Sequence, residues 1–198
     1  MYCILMTGIP ASGKSTMAQY LSEQLNIPML SKDSIKELLF DEMGFKSRAE
    51  KVKLGVAAMN MMYYAAEQLM KCNLPFILEN NFEYVSEAGL RELLDRYAYK
   101  AVTVTLTGDY QTIYNRFVER DKTDGRHRGH VVNDCYPEIE PNRKVETVSY
   151  ENYVAGIKNR GMDTFVANGP HIVVDVTDFA VVDRGKIVEE IIKLCKKM

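Results

Sequence analysis

The chain has 198 residues, of which 46% are hydrophobic, and its 25 lysines and arginines nearly balance 27 aspartates and glutamates, giving a formal net charge of −2. This composition excludes an intrinsically disordered chain, and it lacks the global basic charge of many nucleic-acid-binding proteins. A local basic groove would not show in the total, so nucleic acid is not excluded as a substrate. The length predicts one domain over residues 1–198 with a sizeable core.

The four cysteines lie far apart in the sequence, at positions 3, 72, 135 and 195, and form no disulfide or zinc-finger pattern. Free thiols in a reducing compartment are the simplest interpretation. The apolar run near the start is only about six residues, too short for a signal peptide or a membrane-spanning helix. We therefore expect a cytoplasmic protein.

A phosphate-binding loop is the clearest motif in the sequence. An apolar run over residues 2–6 predicts a buried parallel strand, and the residues after position 15 have helical spacing. Between them the sequence reads glycine, four residues, glycine, lysine, serine, which is the Walker A pattern in its required context. Gly8 and Gly13 allow the backbone amides to turn toward an anion. Lys14 supplies positive charge to the terminal phosphates, and the Ser15 hydroxyl is placed to ligate Mg²⁺.

The motif predicts that the chain binds a nucleoside triphosphate together with magnesium. The predicted nucleotide-binding residues are Gly8, Ile9, Pro10, Ala11, Ser12, Gly13, Lys14, Ser15 and Thr16.

A second short strand is predicted over residues 29–31, followed by a helix that contains Asp33 near its start. Asp33 either caps this helix or reaches into a site as a carboxylate, and the spacing alone favours the cap. The two roles are compatible. A long helix is predicted from about residue 47 to 72, with Val52, Val56, Met59 and Tyr63 on its apolar side, whereas Met62 lies off that stripe.

Polar side chains follow the third predicted strand, residues 76–78, which ends in Glu79, Asn80 and Asn81. Ligands bind open α/β sheets at the carboxyl ends of their strands, so Glu79 is a candidate to hold magnesium or to position a hydroxyl. Ordinary turn chemistry is the alternative for this segment.

The next helix is predicted over residues 85–97 and the fourth strand over residues 101–107, where apolar residues alternate with threonine. Asp109 is predicted to cap the helix that follows. On that helix Arg116 and Arg120 are four residues apart and share a face. They are candidates to stabilise a transferring phosphate, or they form i,i+4 ion pairs on a solvated surface.

A lid is predicted over about residues 120–135, because this segment has almost nothing to bury. Arg126 and Arg128 are its candidate cations. A solvated loop would have a similar sequence. A zinc site built on His127, His130 and Cys135 is a weaker alternative, since it lacks an evident fourth ligand.

Helical spacing resumes over residues 145–160, and a last strand at residues 172–175 precedes a closing helix. Five strands that alternate with helices predict an α/β fold, with a parallel sheet and helices on both faces.

The sequence resembles the P-loop kinases of the polynucleotide kinase and zeta-toxin group. These are AAA-type ATP-binding kinases related to the nucleoside monophosphate kinases. The resemblance rests on four features: the phosphate loop, Lys32 and Asp33 after the second strand, the end of the third strand at residues 79–81, and the arginine-bearing lid. The resemblance covers most of the chain. It departs at the third strand, where the family often has Asp-Asn-Thr-Asn and this chain has Glu79-Asn80-Asn81-Phe82.

The resemblance implies a three-layer P-loop NTPase fold, a sheet of strand order 2-3-1-4-5, and ATP as the nucleotide. It implies that Asp33 accepts a proton from an acceptor hydroxyl or orients it, which favours the functional role for this residue. It also implies that residues 175–178 lie near the adenine.

The sequence therefore predicts a magnesium-dependent kinase that acts on a hydroxyl of a small molecule or of a nucleic-acid 5′ end. Lys14, Asp33, Arg116 and Arg120 are its candidate catalytic residues, and Ser15 and Glu79 its candidate metal ligands. No obligate protein partner and no membrane partner is expected. An NTP-hydrolysing switch or motor and a non-catalytic ATP-binding regulator are the alternatives.

Overall fold

The computed structural model of the protein describes residues 1–123, 125–140 and 143–198. The strands are β1 (Tyr2–Gly8), β2 (Met29–Ser31), β3 (Ile77–Glu79), β4 (Lys100–Thr107) and β5 (His171–Asp175). The helices are α1 (Lys14–Leu25), α2 (Lys32–Met43), α3 (Arg48–Lys71), α4 (Tyr84–Arg96), α5 (Tyr110–Asp121), α6 (Arg128–Val131), α7 (Tyr150–Arg160) and α8 (Arg184–Cys195), with a 3₁₀ turn at Phe179–Val181.

All neighbouring strands of the sheet are parallel, and their order is β2-β3-β1-β4-β5. Ile4 of the central strand β1 is in register with Ile77 of β3 on one side and with Val102 of β4 on the other. The predicted α/β class and strand order are confirmed. Because every strand runs the same way, all the carboxyl ends meet at one edge of the sheet.

Helices cover both faces of the sheet, and each face has its own core. Ile4 and Met6 pack on one side with residues of α1, α7 and α8. Cys3 and Leu5 pack on the other side with residues of α3 and α4. The alternation follows from the two-residue period of a strand, and it explains why β1 is apolar throughout.

A third and smaller cluster lies beyond the sheet, at the elbow between α2 and α3. It contains Phe40, Phe45, Leu54 and Val132. A bridge between Phe45 and Tyr136, with backbone hydrogen bonds of 2.8 Å in both directions, continues the contact. The segment after α5 is therefore packed against the α2–α3 elbow.

The predicted apolar stripe of α3 is wrong in its first half. Val52 and Val56 are 52% and 41% exposed, whereas Leu54 and Met62 are buried. The last half of α3 packs on the sheet, but the first half packs on the elbow cluster. The buried face of α3 therefore changes along its 24 residues, and one apolar stripe of constant helical period does not describe it.

The helix predicted from residue 145 begins only at Tyr150. Ser149 caps it, since its side chain accepts a hydrogen bond from the amide of Asn152 at 3.3 Å. Residues 143–149 have no regular secondary structure.

No helix in the described ranges is both long enough and apolar enough to cross a membrane. All four cysteines are free thiols.

Candidate functional site

A cleft of about 870 Å³ opens at the carboxyl edge of the sheet. It brings together residues of the phosphate loop with Asp33, Glu79, Arg116, Arg120 and Arg126. These side chains come from four different segments of the sequence. The convergence predicted from the strand ends is therefore present in the structure.

The phosphate loop has the backbone conformation that its glycines allow. Gly8 has φ +136°, and a Cβ built there would lie 2.2 Å from the Leu106 carbonyl oxygen. Gly13 has φ +87° and is the N-terminal cap of α1, so the helix begins at the loop. An anion placed at this end would meet loop amides and the positive end of the helix dipole.

Lys14 is buried, with 8% of its surface exposed, and its Nζ donates to the Ile9 carbonyl at 3.1 Å. Burial lowers the pKa of the ammonium, while the carboxylates of Glu79 and Asp33 oppose this shift. Within the loop the hydroxyl of Ser12 is also buried and makes no hydrogen bond with any described residue.

Glu79 connects the phosphate loop to the second strand. Its Oε1 accepts from the Ser15 hydroxyl at 3.3 Å, and its Oε2 accepts from the Ser31 hydroxyl at 2.6 Å. Glu79 is 3% exposed, and burial raises its pKa, opposed mainly by Lys14. A carboxylate and a hydroxyl side by side are the oxygen ligands that Mg²⁺ prefers, directly or through water.

Asp33 is not the cap of α2. Ser31 is the cap, since its side-chain oxygen accepts from the amide of Ser34 at 3.3 Å. Asp33 lies in the first turn of the helix and lines the cleft. The cap predicted from spacing is therefore wrong: β2 ends at Ser31 and α2 begins at the next residue, so the residue directly before the helix is Ser31.

The electrostatic surroundings of Asp33 are basic. Burial raises its pKa, but the positive groups around it outweigh burial and hold the pKa below its usual value. These groups are His130, Lys32, Lys36 and Arg126. Asp33 is therefore a carboxylate at neutral pH.

Arg116 and Arg120 share one face of α5, as predicted, and both line the cleft. Arg116 donates to the carbonyls of Val176 at 2.6 Å and Thr177 at 2.5 Å, and its guanidinium lies 4.0 Å from the ring centroid of Phe179. It is thus directed to the loop after β5.

Arg120 lies toward the other end of the cleft. It pairs with the adjacent Asp121 at 3.2 Å, and its charge is one of the groups that lower the pKa of Lys14. Neither Arg116 nor Arg120 forms an i,i+4 ion pair within the described ranges.

The two arginines of the predicted lid have different surroundings. Arg126 lines the cleft; its Nε is buried, makes no hydrogen bond with a described residue, and lies 3.9 Å from Asp121 Oδ1. Arg128 is not at the cleft: it makes two hydrogen bonds to Glu138, at 2.6 and 2.7 Å. A carboxylate ten residues further along the chain thus pairs with Arg128, and a role for Arg128 as a lid cation stays a prediction. Asp124 of the predicted lid lies outside the described residues.

The histidines of this segment anchor it to α2. His127 Nε2 lies 3.0 Å from Asp41 Oδ1, and His130 Nε2 lies 2.9 Å from Glu37 Oε1. His127, His130 and Cys135 form no metal-binding cluster in the part of the chain that the structure describes. The zinc alternative has no support in this arrangement.

A family model described as an AAA domain matches residues 4–149. The chain belongs to this AAA domain family. No curated protein matches the sequence.

Three solved structures are similar to this AAA domain protein over nearly its whole length. A protein from Chloroflexus aurantiacus j-10-fl with a provisional kinase assignment is 24% identical, with a TM-score of 0.81, and the match covers 98% of this chain and 97% of the other. An unliganded sugar kinase from Janibacter sp. HTCC2649 is 10% identical, with a TM-score of 0.60 and coverage of 99% and 95%. Shikimate kinase from Bacteroides thetaiotaomicron is 14% identical, with a TM-score of 0.52 and coverage of 98% of each chain. The three-layer P-loop NTPase fold, a nucleotide-binding fold, is thereby confirmed.

Several residues of the AAA domain's cleft were not singled out from the sequence. Phe179 lines it at the same end as Arg116, and Lys36 lines it beside Asp33. Lys36 is detectable in principle, because it is three residues after Asp33 and therefore on the same face of α2. Phe179 follows the last strand by four residues, and nothing local distinguishes it from an ordinary exposed aromatic residue.

Proposed function

We propose that this protein is a kinase that transfers the γ-phosphate of ATP to a hydroxyl of a small molecule or of a nucleic-acid 5′ end. Residues 1–198 would act as one domain, with a lid over about residues 120–135. The observation that carries the proposal is that the phosphate loop and the Asp33 carboxylate line the same cleft. The similar folds of a sugar kinase and a shikimate kinase support it. The four free thiols fit a reducing compartment such as the cytoplasm.

The donor end of the cleft consists of the phosphate loop and its neighbours. The loop amides and Lys14 would hold the β- and γ-phosphates. Ser15 and Glu79, whose oxygens are 3.3 Å apart, would hold magnesium directly or through water. When bound, the ion neutralises phosphate charge.

Phe179 and Arg116 stack on each other with the guanidinium 4.0 Å from the ring centroid, and both line the cleft, where a nucleobase would stack on the open side of this pair.

The transfer step places Asp33 at the acceptor. The acceptor oxygen forms a bond to the γ-phosphorus, and the bond from that phosphorus to the β–γ bridging oxygen breaks, with its electron pair leaving on ADP. The hydroxyl proton passes to Asp33. A carboxylate of low pKa is a weak base, so its main contribution is to orient the hydroxyl, which is what a loose transition state requires. Arg120, with Arg126 from the lid, would neutralise the transferred group.

The test is transfer of labelled phosphate from γ-labelled ATP to panels of metabolites, nucleosides and 5′-hydroxyl oligonucleotides. In Asp33→Asn we expect transfer to fall by about 10²–10⁴-fold while ATP affinity stays unchanged. Asp95→Asn, at an exposed position on α4, is the matched control and should transfer at the normal rate. Unchanged transfer in Asp33→Asn would remove Asp33 from the mechanism. ATP hydrolysis with no phosphorylated product would contradict the kinase and favour a nucleotide-hydrolysing switch.

A further inference from the structure

The part of the cleft around Asp33, here called the acceptor end, holds the cations of Lys32, Lys36 and Arg126. Its carboxylates are Asp33 and Glu83, and Glu83 pairs with Arg160. Lys32 and Lys36 lie four residues apart on α2, hence on one face, and both line the cleft beside Asp33. Neither lysine forms an ion pair with any residue that the structure describes. Like charges at this spacing destabilise a helix, and the single carboxylate of Asp33 offsets only one of the two ammonium charges.

The Lys36 side chain lines the cleft and packs against Phe40 and α3. Its Nζ lies 5.1 Å from the centre of the Phe40 ring. Its Cε would be 3.4 Å from a Cβ built on Gly55, so the lysine lies against α3 where that helix has no side chain. Burial lowers the pKa of Lys36 to about 8, and the nearby Asp33 opposes this shift. A desolvated cation without a bonded partner has high affinity for an incoming anion.

Phosphates of the nucleotide do not account for Lys36. The triphosphate would lie at the loop, where Lys14 and Arg120 are placed to meet it, whereas Lys36 packs between α2 and α3. Asp33 and Glu83 are the carboxylates near Lys36, and an anionic group on the acceptor would give this lysine a directly bonded partner.

The acceptor end is also enclosed by the segment that packs on the α2–α3 elbow. Lys51 of α3 donates to the carbonyls of His130 at 2.8 Å and Val132 at 2.5 Å, and to Asn133 Oδ1 at 3.1 Å. His130 is bonded to Glu37 of α2 and lines the cleft. The segment after α5 therefore borders the cleft through His130 and is tied to both α2 and α3. Cavities of about 300–1,000 Å³ hold small molecules, and this one of about 870 Å³ must also hold the nucleotide.

We propose that the acceptor is a small alcohol that carries an anionic group, a phosphate or a carboxylate, and that Lys32 and Lys36 bind this group while its hydroxyl lies at Asp33. This inference rests on the proposed kinase function, whose acceptor class it defines.

The first test measures the anion site without catalysis. Sulfate, whose charge is constant above pH 3, is titrated calorimetrically into the full chain saturated with magnesium and the non-hydrolysable analogue adenylyl imidodiphosphate, which blocks the phosphate loop. We expect one saturable site that weakens at least about tenfold in Lys36→Met and in Lys32→Met. Lys53→Met, at an exposed lysine of α3, should bind sulfate normally. Absence of sulfate binding, or equal binding in all variants, would overturn the proposal whether or not the protein is a kinase.

The second test compares matched acceptors in the labelled-ATP assay: glycerol, glycerate and glycerol 3-phosphate; ribose, ribonate and ribose 5-phosphate; and a 5′-hydroxyl dodecanucleotide. We expect the charged members to be phosphorylated with kcat/KM at least about tenfold above the neutral ones, and the preference to disappear in Lys36→Met. The better member of each charged pair distinguishes phosphate from carboxylate. Faster transfer to neutral alcohols or to the oligonucleotide would overturn the proposal. If no alcohol is phosphorylated while sulfate binds through Lys36, the kinase function fails and the anion site stands.

Discussion

The Ser15 hydroxyl donates to Glu79 Oε1 at 3.3 Å, and this contact joins the start of α1 to the end of β3. The other oxygen of Glu79 is held by Ser31 at the end of β2, so one carboxylate connects the ends of two strands to the phosphate loop. Burial raises the pKa of Glu79, which means that its charged form depends on nearby positive charge. Lys14 supplies part of that charge, and a magnesium ion would supply more.

Glu79→Gln should raise the magnesium requirement of the enzyme. The amide keeps the size of the side chain but removes its charge, so we expect the rate at low magnesium to fall about 10–100-fold and to recover partly as magnesium is raised. Nucleotide binding without magnesium should not weaken. Initial rates across a magnesium titration measure the effect, with Glu92→Gln on the exposed face of α4 as the control. An unchanged magnesium dependence would exclude Glu79 from the metal site.

The parts of this site that sequence patterns predict are those built from short, contiguous stretches. The phosphate loop is one stretch, and its helix cap and glycine conformations follow from its own residues. The position of Glu79 at the cleft is predictable because this residue ends a strand, and the carboxyl ends of parallel strands lie at one edge of the sheet. In each case the local pattern determines the position without knowledge of a distant partner.

Sequence patterns do not distinguish residues of similar local setting whose distant partners differ. Arg128 has the same local setting as Arg126, but Glu138 neutralises Arg128 and leaves Arg126 at the cleft. Arg116 and Arg120 are equivalent on α5, yet the carbonyls after β5 hold only Arg116. Which partner each arginine contacts depends on which chain segments meet in three dimensions, and local patterns in a single sequence do not predict those contacts.

Lys51 should be important for holding the segment after α5 in place. Its ammonium has three donors and meets three acceptors. Lys51→Met therefore removes the donor to the carbonyl oxygens of His130 and Val132, whereas Asn133 Oδ1 keeps its hydrogen bond from Arg48. We expect a loss of about 1–3 kcal/mol in the free energy of unfolding. Urea unfolding measures that loss, and hydrogen exchange should show faster exchange at Val132. Lys53→Met should change neither, and equal exchange in both variants would contradict an anchoring role for Lys51.

Sulfate affinity in the analogue complex should depend on pH through Lys36. Its pKa of about 8 means that the ammonium is charged below pH 8 and loses its charge as the pH rises above it. Affinity should therefore be constant near pH 6–7 and fall above about pH 8. The charged and titratable groups around Lys36 are Asp33 and Lys32 on α2, Arg48 and Lys51 on α3, His130 on α6 and Glu83 before α4. Lys36→Arg keeps its charge throughout this range and should abolish the fall. A fall that persists in Lys36→Arg would assign the titration to another group.

Arg116 and Arg120 should affect different kinetic constants. Arg116 holds the carbonyls of Val176 and Thr177 and stacks on Phe179, so Arg116→Met should raise the KM for ATP by about tenfold and change kcat by less than about threefold. Arg120 is positioned toward Lys14 and the phosphates. Arg120→Met should therefore lower kcat by about 10²-fold or more with a smaller change in KM.

Steady-state kinetics on the two variants decide between the alternatives for α5, because the residues share a helix face and differ only in what they contact. If Arg116→Met instead lowers kcat at constant KM, its bonds to the loop after β5 must open during the reaction so that the guanidinium reaches the transferred phosphate. Phe179→Ala distinguishes a nucleotide-binding role of Arg116 from a role in phosphate transfer. If both side chains hold the nucleobase, loss of the Phe179 ring should raise the KM for ATP as Arg116→Met does.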